Sequence, residues 1–278
     1  MSGTILLGYD IEAGSIGENL AHLGGDIEPY RLCLDPKTAT RGLEIIQDIH
    51  ESLQVPGTLF TCGKTMTHHK DALVAAKTSG LFDIQSHTYS HILFKDQAWQ
   101  DDVFKASPPA AIDFELRVTS EIVAECFGAE CIGLRTPFCY NQGLRGRPDL
   151  LQLLHNNGIK YVSSWGRNEQ GGNPTPWVQP FRYREEGFPD IVELPLQYWL
   201  DVLWFEVNGF DAGSRFKDVL CQAVDQIVED DLVYGVCFHD WPMIACDEIG
   251  TGWARGFIQY AIDSGVEVTS YTSYYNGM

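Results

Sequence analysis

Basic residues are scarce in this chain. Lysine and arginine together number 19, against 38 aspartates and glutamates, so the 278 residues carry a formal net charge of -19. A surface of this sign repels nucleic-acid phosphates and anionic lipid headgroups. The charge balance therefore argues against nucleic acid and membranes as partners.

Export signals and long apolar runs are missing as well. The opening residues MSGTILLGYD have no basic leader, and their short apolar run is followed by charged residues and glycine. Such a segment matches neither a signal peptide nor a membrane-spanning helix. We therefore expect the protein to be cytoplasmic.

The eight cysteines form no C-x-x-C pair, and several of them lie inside apolar runs. We expect reduced, mostly buried thiols rather than disulfides. The chain has no internal repeat, low-complexity tract or linker, and its 44% content of hydrophobic residues can fill a large core. These features predict a single domain over residues 1–278.

Short apolar runs alternate with longer segments of helical periodicity along the chain, an order that predicts parallel strands joined by helices. The predicted strands are Ile5 to Asp10, Gly57 to Cys62, Phe82 to Ser86, Cys131 to Arg135, Lys160 to Ser164, Ile191 to Leu194, Val233 to His239 and Val266 to Ser270. The predicted helices are Thr40 to Leu53, Lys70 to Thr78, Ile112 to Phe127, Pro148 to Asn156, Ser214 to Glu229 and Trp253 to Asp263. The irregular segment from Arg167 to Pro180 is predicted to be a loop over one mouth, followed by a single short strand. This pattern favours a (β/α) barrel, with an open doubly wound sheet as the alternative.

Residues suited to catalysis or binding recur at the C-terminal ends of the predicted strands. They are Asp10 with Glu12, His87, Arg135, Trp165 and His239. In a parallel barrel these ends lie on one face, where barrel enzymes build their active sites. A single residue of this kind at a strand end is ordinarily just part of a loop. Five predicted strands that all end in this way predict a common site.

The segment SHTYSH places His87 and His91 four residues apart, so a helical turn would put both imidazoles on one side. Asp10 and Glu12 are two apart and point to the same side of an extended backbone. Two carboxylates so close need a cation or a shared proton. A divalent ion on the two histidines and one carboxylate meets this need and leaves room for water and substrate. The other carboxylate would deprotonate the water, and His239 would protonate a leaving nitrogen.

These segments resemble the motifs of the polysaccharide deacetylases, the NodB-homology or carbohydrate esterase 4 family, including its cytoplasmic branch of cyclic-imide and ureide hydrolases. YDIE, SHTYSH, RTPF and VCFHD stand in the order of the family's motifs and span nearly the whole chain. The resemblance implies a distorted (β/α) barrel of seven to eight mostly parallel strands. It also implies a hydrolase of carbon-nitrogen bonds other than peptide bonds, with one divalent ion, zinc being the first expectation among the transition metals.

The resemblance further implies a role for each motif residue. Metal ligation would fall to Glu12, His87 and His91, the base would be Asp10, Arg135 would orient the base, and His239 would be the acid.

Two departures from the family pattern concern these roles. The family's first motif has two adjacent aspartates, whereas Ile11 separates Asp10 from Glu12 here, so the sequence leaves open which of them is base and which is ligand. The fourth motif, an aspartate next to a tryptophan that tunes the acid, has no literal match. Trp199 and Asp201 are its nearest candidates, and we expect Asp201 to support the acid histidine.

Aromatic residues lie near the motif segments, at Phe94, Trp99, Phe138, Trp165, Trp199 and Trp241. Core packing would explain them, but a ring-lined pocket for a small substrate explains them nearly as well. We expect substrate contacts from the last four.

The expected substrate is a soluble N-acyl or amide compound, either a small molecule or a saccharide. One alternative is a cyclic-imide or ureide hydrolase of the allantoinase kind, with or without metal. Another is a barrel that binds a small molecule without catalysis. The sequence is compatible with a homo-oligomer and leaves the oligomeric state open.

Overall fold

The structure, a computed structural model, describes residues 3–16, 30–96 and 105–278. Its strands are β1 (Thr4–Ile11), β2 (Gly57–Thr61), β3 (Phe82–Ser86), β4 (Gly133–Tyr140), β5 (Tyr161–Trp165), β6 (Phe181–Tyr183), β7 (Phe188–Glu193), β8 (Val233–His239) and β9 (Glu267–Ser270). Its helices are α1 (Arg31–Leu34), α2 (Lys37–Leu53), α3 (Gly63–His68), α4 (Lys70–Thr78), α5 (Pro109–Phe127), α6 (Pro148–Asn156), α7 (Asp201–Asn208), α8 (Gly213–Asp230), α9 (Pro242–Ala245), α10 (Glu248–Thr251), α11 (Trp253–Asp263) and α12 (Tyr271–Gly277). Trp99 lies outside the described residues.

The strands form one sheet in the order β6-β7-β5-β4-β3-β2-β1-β8, and β9 also pairs with β1. Of the strand pairs in the described residues, β6 with β7 is antiparallel and the others are parallel. β1 pairs with β8 from Thr4 to Asp10. Along its other edge it pairs first with β9 and then, from Gly8 onward, with β2. The predicted α/β fold with a mostly parallel sheet is confirmed.

Helices cover the strands, and the core lies between the two layers. The amphipathic spacing of α2 buries Leu43, Ile46 and Ile49, and all five residues of β2 are buried. Strands that are buried on both faces are typical of parallel sheets flanked by helices. No helix among the described residues is long and apolar enough to cross a membrane.

The two ends of the sheet meet at a seam, which we define as the contact of β8 with residues 194–198 and Gln179. The main-chain N–H of Gln197 donates to the carbonyl oxygen of Gly235 (3.2 Å). The side-chain oxygens of Gln179 and Gln197 accept from the N–H groups of Val233 (2.8 Å) and Gly235 (2.5 Å). A Cβ on Gly235 would lie 2.1 Å from the Pro195 carbonyl oxygen, so only glycine permits this approach. The sheet therefore curves round on itself, and both main-chain and side-chain hydrogen bonds join its two sides across the seam.

Two sequence predictions need correction. The strand predicted to end at Arg135 continues to Tyr140 through an irregular register, with Phe138 and Cys139 at φ values of 67° and 49°. Pro137 lies inside this strand, and a proline ordinarily marks a strand end. The loop before Pro180 is followed by the hairpin of β6 and β7 rather than by a single strand.

Candidate active site

The parallel pairing brings the predicted site residues together at the C-terminal ends of the strands. Asp10 of β1 lies in register with His239 of β8, and His87 directly follows β3. Seven predicted site residues from separate parts of the chain lie together here: Asp10, Glu12, His87, His91, Arg135, Asp201 and His239.

Glu12, His87 and His91 form a buried group whose potential ligand atoms all lie within 4.8 Å of one another. Glu12 Oε2 is 3.0 Å from His91 Nε2 and 3.4 Å from His87 Nε2. Burial raises the pKa of Glu12, but the neighbouring His91 and His239 outweigh this effect and hold it well below its ordinary value. The carboxylate is therefore ionised where the two imidazoles face it.

The tautomer of His87 is fixed by its surroundings. Its Nδ1 lies 2.9 Å from the carbonyl oxygen of Arg135, which can only accept, so Nδ1 carries the proton. Nε2 then presents a lone pair, and this buried atom has no hydrogen-bond partner in the described residues. Two imidazole nitrogens and a carboxylate oxygen are a donor set that zinc and other transition metals accept. These residues therefore fit a divalent ion.

The histidine segment is not a helix, contrary to the geometry that the spacing suggested. Residues 87–93 are irregular, and Thr88 and His91 adopt φ values of 61° and 63° in the left-handed region. The Thr88 hydroxyl accepts from the His91 N–H (3.0 Å), which fixes this turn. The centroids of the two imidazole rings are 4.9 Å apart. The loop therefore produces the closeness that the four-residue spacing had predicted from a helix.

Glu115 of α5 anchors this loop, and the sequence reasoning missed it. One carboxylate oxygen accepts from the main-chain N–H groups of Tyr89 (3.1 Å) and Ser90 (3.0 Å), and the other accepts from the Ser90 hydroxyl. Helical periodicity in the sequence could have identified Glu115. Glu115 lies three residues after Ile112 and four before Thr119, both buried, so it occupies the buried face of the helix.

Arg135 is fully buried and holds Asp10 through a 2.7 Å contact between Nη1 and Oδ1. Its guanidinium lies 4.2 Å from the ring centroid of Phe60 and 4.8 Å from that of Tyr271. A Cβ on Gly8 would lie 2.5 Å from Arg135 Nη2, so the glycine makes room for the guanidinium. Burial raises the pKa of Asp10, but the cationic neighbours, Arg135 foremost, outweigh this and hold it below its ordinary value.

Asp201 begins α7 and engages His239 twice. Oδ1 lies 2.6 Å from His239 Nδ1, and Oδ2 accepts from the His239 main-chain N–H at 2.8 Å. This leaves Nε2 facing Asp10 Oδ2 at 3.7 Å and Glu12 Oε1 at 3.9 Å. Burial lowers the pKa of His239, but Asp201 and Glu12 outweigh this effect and raise it to about 10.

Asp240 was also missed by the sequence reasoning. Its Oδ2 accepts from the main-chain N–H groups of Glu12 (3.2 Å) and Ala13 (3.1 Å). These bonds fix the backbone that carries the Glu12 carboxylate. Burial and the nearby Glu12 raise the pKa of Asp240 to about 7. Its position directly after His239, in the segment VCFHD, was the signal available.

The four predicted aromatic contacts lie in different surroundings. The Phe138 ring is 4.5 Å from the His91 ring, and Trp241 donates from Nε1 to Glu12 Oε1 at 3.3 Å. Trp165 packs against Phe181, and Trp199 packs at the edge of the main core. The structure therefore brings two of the four to the ligand group, and contact with substrate stays a prediction for all of them.

A family model described as polysaccharide deacetylase matches residues 35–162. Over this segment, the chain matches the polysaccharide deacetylase family. The segment contains SHTYSH and RTPF, and the structure brings YDIE and VCFHD from outside it to the same site. The resemblance and the predicted class, a hydrolase of carbon-nitrogen bonds of the deacetylase kind, are confirmed at the level of the family.

Solved structures extend the likeness in fold to the whole chain. A protein from Mycobacterium smegmatis described as a polysaccharide deacetylase is 16% identical, with a TM-score of 0.67 over 99% of this chain and 90% of its own. The allantoinase PuuE is 17% identical, with a TM-score of 0.69 over 98% of this chain and 89% of its own. A carbohydrate esterase 4 pseudoenzyme from Bacillus anthracis is 12% identical, with a TM-score of 0.55 over 99% and 66%. A comparison with curated protein sequences finds no match.

Proposed function

We propose that this protein is a member of the polysaccharide deacetylase family and a metal-dependent hydrolase of amide bonds that acts on a small N-acyl or amide substrate. The observation that carries the proposal is the position of Asp10. Its Oδ2 lies 3.6 Å from His87 Nε2 and 3.7 Å from His239 Nε2, between the ligand group and the second histidine. A base and an acid thus lie beside one metal-binding group, as hydrolysis of an amide requires.

Glu12, His87 and His91 would hold one divalent ion, which would polarise the substrate carbonyl and activate water. Zinc is the first expectation for this set of nitrogen and oxygen donors, although metal availability also decides occupancy. The assignment of Glu12 as ligand is supported by its short distances to both histidines, whereas Asp10 is engaged by Arg135.

Asp10 would act as the general base. Arg135 occupies Oδ1, so Oδ2 remains to accept a proton from the attacking water. The same guanidinium stabilises the ionised carboxylate, which is the form that a base needs. Arg135 would therefore position the base rather than contact the substrate.

His239 would act as the general acid. Asp201 fixes Nδ1 and stabilises the imidazolium, so Nε2 can donate a proton to the nitrogen that leaves. The side chain of His239 is 11% exposed, whereas those of Glu12, His87 and His91 are at most 5% exposed. This burial favours a small substrate over a bulky polymer. A cytoplasmic location and a single domain stay predictions from the sequence.

The test combines metal analysis with a hydrolysis screen over N-acetyl sugars, linear amides, cyclic imides and ureides. We expect about one equivalent of metal, amide turnover that chelation abolishes, loss of turnover with metal retained in Asp10→Asn, and loss of both in His91→Ala. Under ~0.1 equivalents of metal with chelator-resistant imide turnover would establish the metal-free imide hydrolase instead. Bound metal without turnover of any substrate would favour the binding protein.

A further inference from the structure

A second group of potential ligand atoms adjoins the first. Atoms of Asp10, Cys237 and His239 all lie within 4.8 Å of one another. Cys237 and His239 are two residues apart on β8, so both point to the same side of the strand. Cys237 Sγ lies 3.4 Å from Asp10 Oδ2, and His239 Nε2 lies 3.7 Å from the same oxygen.

The two separations that involve Asp10 Oδ2 match a tetrahedral metal site, and Cys237 Sγ lies within 4.8 Å of His239 Nε2. With bonds to zinc of about 2.3 Å for sulfur and 2.0 to 2.2 Å for nitrogen and oxygen, tetrahedral angles separate sulfur from oxygen by about 3.6 Å and nitrogen from oxygen by about 3.4 Å. The observed distances of 3.4 Å and 3.7 Å agree with these values without rearrangement of the strands.

The remaining atoms of the group orient it for metal binding. Asp201 fixes His239 Nδ1, which leaves Nε2 as the ligand nitrogen, the arrangement that carboxylates impose on histidines at zinc sites. The proton that Nε2 carries in the imidazolium would be released to solvent when the ion binds. Arg135 occupies Asp10 Oδ1 and leaves Oδ2. Cys237 is buried and would bind as the thiolate, with its proton released to solvent.

We propose that Asp10, Cys237 and His239 form a second site, for a thiophilic divalent ion such as Zn²⁺, Co²⁺ or Cd²⁺, and that its occupancy inhibits the enzyme. The binding site rests on the geometry of the three ligands. The inhibition rests on the proposed function, because an ion there would engage both the base and the acid.

Cobalt titration of the metal-depleted protein tests the site by absorption, independently of activity. We expect two equivalents of Co²⁺ to bind, with a near-ultraviolet thiolate-to-cobalt band that grows only with the second. Cys237→Ala and Cys237→Ser should each bind one equivalent without this band. Cys139→Ala is the matched control, because Cys139 is buried nearby with its sulfur directed at the carbonyl oxygens of Thr136 and Ser163.

Binding of one equivalent without a thiolate band would overturn the second site and leave the proposed function intact. A thiolate band that grows with the first equivalent would also overturn it, because Cys237 would then belong to the primary site. Absence of any cobalt binding would overturn both proposals.

Activity provides the second arm of the test. Zinc beyond the first equivalent should lower wild-type turnover by about a hundredfold or more, the share that a general acid or base contributes. Inhibition is expressed relative to the turnover of each protein with one equivalent of zinc, and the Cys237 variants should lose it. Equal inhibition of wild type and variants would contradict the proposal.

Discussion

Arg135 holds Asp10 with one terminal nitrogen while its guanidinium lies over two aromatic rings. Arg135→Lys keeps the charge but loses the planar fork that fixes the carboxylate and stacks on the rings. We expect kcat to fall about tenfold or more, because misplacement of a catalytic group is costly, while metal content stays at the wild-type level. Steady-state kinetics with metal analysis of the same sample is the measurement. Wild-type kcat would contradict the positioning role.

His239→Ala should lower kcat by about a hundred- to ten-thousand-fold, since a general acid acts mainly in the transition state. The ion held by Glu12, His87 and His91 should be retained. The defect should shrink for substrates whose leaving nitrogen needs less protonation. The measurement is the kcat of wild type and variant on a series of anilides whose leaving anilines differ in basicity. An equal defect across the series would assign His239 to substrate orientation instead.

Glu115 is expected to control metal affinity from a distance, because it fixes the loop that carries His91. Glu115→Ala should weaken metal binding by about tenfold to a hundredfold, as loss of groups that orient ligands does. Glu115→Gln keeps an acceptor for both N–H groups and should restore most of the affinity. The measurement is a competition titration with a chromophoric chelator.

Glu121→Ala is the matched control for Glu115, since Glu121 lies on the same helix with its side chain 58% exposed. An equal loss of affinity in both alanine variants would show a general effect on α5 and not an anchor.

At the scale of elements, β1 brings the site together, and Gly8 is its most constrained position. Gly8→Ala would place a methyl group where the guanidinium of Arg135 lies, so we expect lower turnover together with a lower melting temperature. Gly172→Ala is the control, because the nearest atom to an added Cβ there is 4.0 Å away. Thermal melts and kinetics of the two variants provide the comparison, and equal behaviour would refute the steric account.

Sequence patterns predicted the parallel strands because strands buried on both faces read as apolar runs, but they missed β6, which pairs antiparallel with β7. They also predicted where Asp10 and His239 meet, since the ends of parallel strands share a face. They did not predict the loop of His91, whose left-handed turn depends on hydrogen bonds to Thr88 and, through its neighbours, to Glu115. Contacts of this kind join residues distant in the chain and have no local signature.

For the whole molecule, the proposed ion links binding to stability. An ion that binds only the folded state stabilises it by about 2.7 kcal/mol at 100 times its dissociation constant, which raises the melting temperature by several degrees. Chelation should therefore lower the melting temperature of the wild type. His91→Ala should melt at the same temperature with and without chelator. A wild-type protein whose melting point ignores chelator would contradict metal binding at this site.

Along its edge away from β1, β8 presents main-chain N–H groups that no neighbouring strand accepts in the described residues. Those of Val233, Gly235 and His239 donate instead to the side-chain oxygens of Gln179, Gln197 and Asp201. An open strand edge is a template on which another chain can pair and aggregate. Side-chain acceptors complete the hydrogen bonds of this edge without a further strand. The carboxylate that orients the His239 ring thus also occupies the strand edge on which another chain could otherwise pair.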